Sequence, residues 1–410
     1  MCSSGYGVPA TLPLAICQKG PLPVPCSYQN TLPPFPFSRN CSIMRVALVH
    51  YWLVTMRGGE KVLEALCRMY PQADIFTHVY VPEAVSSTIR QHKVTTSFIQ
   101  RLPFAKKAYQ RYLPLMPLAL EQLDLRGYDL VISTESGPAK GVLTSAETTH
   151  ICYCHTPMRY LWDFYQDYLE EAGAFTRFAM RPLTHYLRMW DALSAQRVDH
   201  FIANSHNVAR RIRKHYRRES TVIYPPVDVS AFTPPQGHYA PPQDYYLYLG
   251  QLVGYKRADL AVAACTRMNR RLLVMGEGPE LKRLQQMAGP SIEFLGRQPA
   301  PVIHEKMQQC RALLFPGEED FGIVPLEAAA AGRPVIAYGK GGAMETVVHG
   351  TTGLHFARQT EEALCEAMEA FEANEASFIP AALTAHAASF STERFQQEIS
   401  AMVDIAMAKQ

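Results

Sequence analysis

The chain has 410 residues, 48% hydrophobic and 19% charged, which excludes a disordered chain and predicts two to three domains at roughly 150 residues each. Forty basic against 37 acidic side chains leave a net charge of +3, so no strong field points to a nucleic-acid partner. No apolar run approaches the ~18 residues of a membrane-spanning helix, which excludes a helical channel or transporter.

Residues 1–43 are rich in Pro, Gly, Ser and Cys and show no sustained period. They lack the basic start and clean apolar stretch of a secretory signal and read as a disordered, Pro-broken tail. The first strand-like run begins at Met44, a candidate translation start. The ten cysteines show neither a C-x-x-C pair nor zinc-like spacing, and free thiols of this kind suit a reducing cytoplasm.

From Met44, apolar runs of strand length alternate with helical patterns. VALVH, DIFTHVY, DLVIST, HICYC and HFIAN are the candidate strands of a first domain over 44–224. Such alternation means βαβ units and parallel sheets covered on both faces. The Pro-rich segment 225–243 reads as a linker. The alternation then restarts over 244–390, with YYLYLG, RLLVMG, IEFLG, ALLFPG and PVIAYG each ending at glycine. Glycine at a strand's C-terminal end lets the backbone turn tightly and approach a ligand. The expected fold class is α/β, two doubly wound Rossmann-like domains facing a cleft. A last helix over 391–410 carries Phe395, Ile399, Met402 and Ile405 on one face, and is expected to pack back on the first domain.

The segment Glu319–Pro334 holds the densest chemistry. Pro325 suits a first helical turn, and Gly332 followed by Pro334 suits a helix end. The helix then starts near Ile323–Val324, with free N–H groups for an anion, Glu319 before it and Glu327 in its first turn. Gly250-Gln251 leads to Lys256 and Arg257 after the first strand of the second domain. Gly276-Glu277 follows the second strand, and Gly296-Arg297 the third. Lysine and arginine at such strand ends can reach a phosphate. In the first domain, Gly58-Gly59 opens a helix after the first strand, and His155 follows the strand ending at Cys154. Asn204-Ser205 can cap the next helix.

Together, the E-x7-E pair, GQLVGYK, MGEGPE and FLG resemble the donor domain of family 4 retaining glycosyltransferases of GT-B fold, over about 44–410. The resemblance implies that Glu319 contacts the transferred sugar, that Glu327 holds the ribose hydroxyls and that Lys256 binds the diphosphate. It also implies that Gly58 and Gly59 approach the donor phosphates and that His155 lies near the donor sugar, so that His155, Glu319 and Lys256 are the catalytic set. Donor contacts then fall to Gly250, Gln251, Arg257, Gly276, Glu277, Arg297 and the Phe321–Val324 turn (Phe321, Gly322, Ile323, Val324). Where the family usually has arginine, this chain has Gln251.

HTPMRYLWD and GGEKVLEAL are most similar to bacterial mannosyltransferases of O-antigen and exopolysaccharide pathways. That implies GDP-mannose as donor, with a UDP-sugar such as UDP-glucose as the alternative, and a lipid-linked or saccharide acceptor. A two-domain sugar-nucleotide epimerase and a non-catalytic binder are the remaining readings. No Asp-x-Asp occurs, so no carboxylate-held metal and no further cofactor is expected. The basic run 207–218, with Arg210, Arg211, Arg213, Lys214, Arg217 and Arg218, and the aromatic-basic segment 101–112 suggest a peripheral seat on an anionic cytoplasmic membrane.

Overall fold

A computed structural model describes residues 44–171, 173–234 and 238–408, so the expectation for the 1–43 tail lies outside the described residues. Among the described residues, thirteen strands form two parallel sheets. In the first, β1 (Val46–His50), β2 (Asp74–Thr77), β3 (Val94–Thr96), β4 (Leu130–Glu135), β5 (Thr149–Cys154), β6 (His200–Ala203) and β7 (Ser220–Val222) lie in the order 3-2-1-4-5-6-7. In the second, β8 (Tyr246–Leu249), β9 (Leu272–Met275), β10 (Ile292–Gly296), β11 (Leu313–Phe315), β12 (Val335–Tyr338) and β13 (Gly353–Phe356) lie in the order 10-9-8-11-12-13. Both orders reverse direction beside the first strand, and the crevice at that reversal is where open α/β sheets bind ligands.

The apolar runs VALVH, LVIS and HICYC become central strands because helices cover both faces; β1, β4 and β5 are buried along their whole length. β3, β7 and β13 have no counterpart among the candidate strands. They are edge strands of three or four residues, too short to show alternation. The segment 225–243 is more than a connector: Val229–Phe232 forms a short helix capped by Asp228, and Phe232 sits in the second domain's core.

The chain passes between domains twice, side by side. Val227 N–H donates to Phe390 O at 3.0 Å, and Val227, Phe321, Leu326 and Phe390 form a small apolar cluster there. The closing helix, Thr392–Met407, is capped by Ser391, whose hydroxyl accepts from Arg394 N–H at 3.3 Å. It buries Phe395, Ile399, Met402, Val403 and Ala406 in the first domain's core beside Val62 and Leu66. Ile405 is 54% exposed, so the stripe turns through Val403 and Ala406 rather than through Ile405. Phe395 is fully buried and meets the Tyr153 ring edge-on at 5.8 Å. Phe395→Ala is therefore expected to cost about 3–5 kcal/mol, read as a lower melting temperature and denaturation midpoint.

Two histidines of the first domain are sealed from water. His150 bonds Ser133 Oγ at 2.9 Å and His78 bonds Ser97 Oγ at 3.1 Å. Burial pushes both imidazoles down from 6.5 to about 4. The unfolded chain therefore binds more protons than the folded one as pH drops below about 6.5. Stability is full above that pH and falls as pH descends to about 4, on the order of 1–3 kcal/mol for each histidine. Thermal melting across pH 7 to 4 should follow that slope, and His150→Gln should flatten it.

Candidate functional site

The loops leaving β8, β9 and β11 are pressed together so closely that side chains are excluded. Gly276 has φ of +143°, and a Cβ there would lie 1.8 Å from Gly250 O. A Cβ on Gly317 would lie 2.8 Å from Lys256 Cα. This contact sets the β11 loop against the β8 loop, and the Lys256 ammonium meets Glu319 Oε1 at 2.8 Å. Burial and the nearby Arg57 work against the Lys256 charge, but Glu319 outweighs them and holds it above the usual lysine range. Gly322, at φ +91°, then turns the chain into the helix Ile323–Ala330.

The first domain faces this edge with the start of the helix Gly58–Met69. Its loop is pinned by Glu60, 2% exposed, whose Oε2 accepts from Arg57 N–H at 2.9 Å. Burial alone would raise the Glu60 carboxyl; the His50 side chain and backbone N–H donors hold it below its ordinary value. A Cβ on Gly59 would sit 2.4 Å from the Tyr51 hydroxyl and 3.5 Å from His155 Nε2. His155 Nε2 is buried and has no hydrogen-bond partner among the described residues. Burial, assisted by His50, pushes this imidazole down to about 3, so it stays neutral at physiological pH.

Two chambers open between the domains. The smaller, about 440 Å³, is lined by Tyr51, Gly59, His155, Lys256, Glu319 and the Phe321–Val324 turn. The larger, about 1530 Å³, is lined by Arg57, Lys61, Gly250, Gln251, Gly276, Glu277, Arg297 and Glu327. Gly58, Ile323 and Val324 line both, making one continuous cleft.

Charged contacts cross this cleft. Lys61 Nζ meets Glu327 Oε1 at 2.9 Å, and Glu327 holds this ammonium above the ordinary lysine value even though burial opposes the charge. Arg57 Nη1 donates to Gln251 Oε1 at 3.3 Å. Asp320 Oδ1 takes Arg159 at 2.7 Å and Arg211 at 2.6 Å. Ser205 donates to Asp320 O at 2.7 Å, and Glu345 accepts from the His206 and Asn207 N–H groups at 2.8 and 2.9 Å.

Three expectations change. Arg257 lines neither chamber: its guanidinium is engaged by Asp259 through Nε and Nη2, each at 3.0 Å, because the residue takes a left-handed conformation (φ 52°) that starts the next helix. The helix does start at Ile323, but Glu327 is its fifth residue and so lies just beyond the first turn. The basic run 207–218 does not present six free cations. Arg211 joins Asp320 and Asp163, Arg213 pairs with Glu219 at 2.6 Å, and Arg218 donates to Ala195 O and Val198 O. By contrast Phe104, in the other segment, is 80% exposed beside exposed Lys106 and Lys107.

Lys61, Arg159, Asp320 and the Arg57 side chain are site residues that sequence reading missed. A lysine in the first turn of a helix, where the dipole disfavours it, was the signal for Lys61. Among the described residues no group of three His, Cys, Asp or Glu side chains is placed to hold a metal ion, and no helix is long and apolar enough to cross a membrane.

Residues 56–231 match the family described as Glycosyltransferase Family 4, and residues 234–386 match Glycosyl transferases group 1. The D-inositol 3-phosphate glycosyltransferase of Mycolicibacterium paratuberculosis is 28% identical over 219 residues, 47% of this chain and 49% of that protein. The GDP-mannose-dependent alpha-(1-6)-phosphatidylinositol monomannoside mannosyltransferase of Mycolicibacterium smegmatis is 32% identical over 155 residues, 32% of this chain and 41% of that protein. The chain thus spans about half the length, or less, of these curated relatives. Among solved structures, Anabaena Alr3699/HepE in complex with UDP superposes with a TM-score of 0.65 at 17% identity, covering 88% of this chain and all of that one. The two parallel-sheet domains, set beside these neighbours, make the fold GT-B.

The Asp320 contacts generate a stability test. Asp320→Asn takes the carboxylate from the mostly buried Arg159 and leaves Arg211 with Asp163 alone, an expected cost on the order of 3 kcal/mol. Urea unfolding measures it.

Proposed function

We propose that this protein is a retaining glycosyltransferase that moves a hexose from a sugar nucleotide to a lipid-linked or saccharide acceptor. The observation that carries the reading is the cleft itself, where Lys256 and Glu319 share a chamber with a neutral His155 whose Nε2 has no hydrogen-bond partner among the described residues. Both halves of the chain also match glycosyltransferase families. GDP-mannose is the favoured donor, in line with the sequence resemblance and with the mannosyltransferase relative. The Anabaena neighbour binds UDP, which keeps a UDP-sugar as the alternative.

On this reading the nucleotide takes the larger chamber, with Glu327 on its ribose hydroxyls, and the sugar takes the smaller. His155 Nε2 donates to or accepts from a sugar hydroxyl without introducing charge. Glycosyl transfer develops negative charge on the departing diphosphate, and fixed cations and N–H groups stabilise it most when preorganised in a water-poor cleft. Lys256 and the amides of Gly322–Val324 are placed for that, and no added cofactor is invoked. Glu319 holds Lys256 in place and reaches the sugar when phosphate takes the ammonium. For the acceptor, exposed Phe104 with Lys106 and Lys107 supports a peripheral seat at an anionic, cytoplasmic-face membrane.

Incubation with GDP-mannose and with UDP-glucose, following released nucleoside diphosphate, tests the reading. Turnover should persist in EDTA, and Lys256→Ala should lower it by roughly 10²–10³-fold. Absence of turnover with every sugar nucleotide tried, or full activity in Lys256→Ala, contradicts it.

A further inference from the structure

The cations around the cleft are unequally engaged. Lys256 is paired with Glu319, Lys61 with Glu327, and Arg159 and Arg211 with Asp320. Arg57 and Arg297 differ: among the described residues neither is in an ion pair with a carboxylate, and the Arg57 guanidinium alone of the two reaches across the cleft, resting against the neutral amide of Gln251 at 3.3 Å. That contact spans 194 residues of sequence and crosses from the first domain to the loop that carries Lys256.

Its backbone is fixed independently of its side chain. The Arg57 N–H is held by Glu60, and Arg57 is the cap of the helix whose first residue, Gly58, walls both chambers. The guanidinium also opposes the charge on Lys256, so two cations from opposite domains bear on one space. Like charges brought together without an anion repel, and an arrangement that keeps them together is complementary to a polyanion. A guanidinium offers several N–H donors in a fixed fork suited to phosphate oxygens, and a neutral amide releases it more easily than a carboxylate does.

We propose that Arg57 reaches across the cleft to bind the diphosphate of the donor, as the second cation beside Lys256, so that the phosphate site is shared between the domains. The inference rests on the function proposed above. As the bond from the anomeric carbon to the β-phosphate oxygen breaks, its electron pair stays on that oxygen. The acceptor oxygen bonds the anomeric carbon, and the acceptor proton passes to the departing diphosphate. Arg57 and Lys256 meet the charge from opposite walls, and Arg57 does so only while the domains are closed.

The test is calorimetry with GDP, GMP, UDP and UMP, with turnover measured in parallel. Wild-type protein should prefer one nucleoside diphosphate over its monophosphate. Arg57→Ala should reduce that preference by roughly ten- to a hundredfold, the worth of a charged hydrogen bond, and lower kcat, while monophosphate affinity and melting temperature hold. Arg57→Lys should retain part of the preference. Arg57→Ala combined with Gln251→Arg should restore much of it by returning a guanidinium from the other wall. An unchanged preference in Arg57→Ala overturns the inference while leaving the proposed function standing. Wild-type protein that binds no nucleoside diphosphate overturns both.

Discussion

Opposite charges from the two domains meet across one cleft, Lys61 on Glu327 and Arg159 with Arg211 on Asp320, and the geometry of the site depends on those meetings. Partly buried pairs add little net stability, because desolvation offsets the Coulomb gain. Their effect is positional. Each pair forms only where its two partners meet across the cleft, so the closed arrangement sets the register of the segment Glu319–Val324 against the helix starting at Gly58. The two strand crossings at Val227 and Phe390, and the closing helix anchored by Phe395, keep that approach within a narrow range.

The same charges describe what a ligand must do. Lys256 and Glu327 are occupied by protein partners, and so a polyanion with a ribose would exchange one set of charged contacts for another rather than fill an apolar hole. Such exchange favours selectivity over raw affinity, since every displaced partner must itself be satisfied. His155 is the exception. Its Nε2 has no hydrogen-bond partner among the described residues and the ring is kept neutral by burial, so contact with a sugar hydroxyl would be gain without displacement.

Much of this was legible in sequence because glycines mark sheet edges. β8 to β12 were readable as short apolar runs ending in glycine, and Gly276 shows why only glycine serves: a Cβ would meet Gly250 O. β3, β7 and β13 were not readable, being edge strands of three or four residues, each paired only with the strand before it and too short to show a period. Side-chain direction was the second limit. Arg257 sits one residue from Lys256, yet its left-handed backbone sends the guanidinium to Asp259. Likewise, the run 207–218 looks uniformly basic in one dimension. Folding brings Asp163, Asp320 and Glu219 onto it and removes much of its free charge.

The central claim is that both domains contact the diphosphate of one ligand in a shared cleft. Hydrogen exchange with and without saturating GDP or UDP tests it most directly. The account predicts slowed exchange at residues 57–61 and 250–256 together, from the first and second domains respectively. Protection confined to the second domain, or found in neither segment, would contradict it.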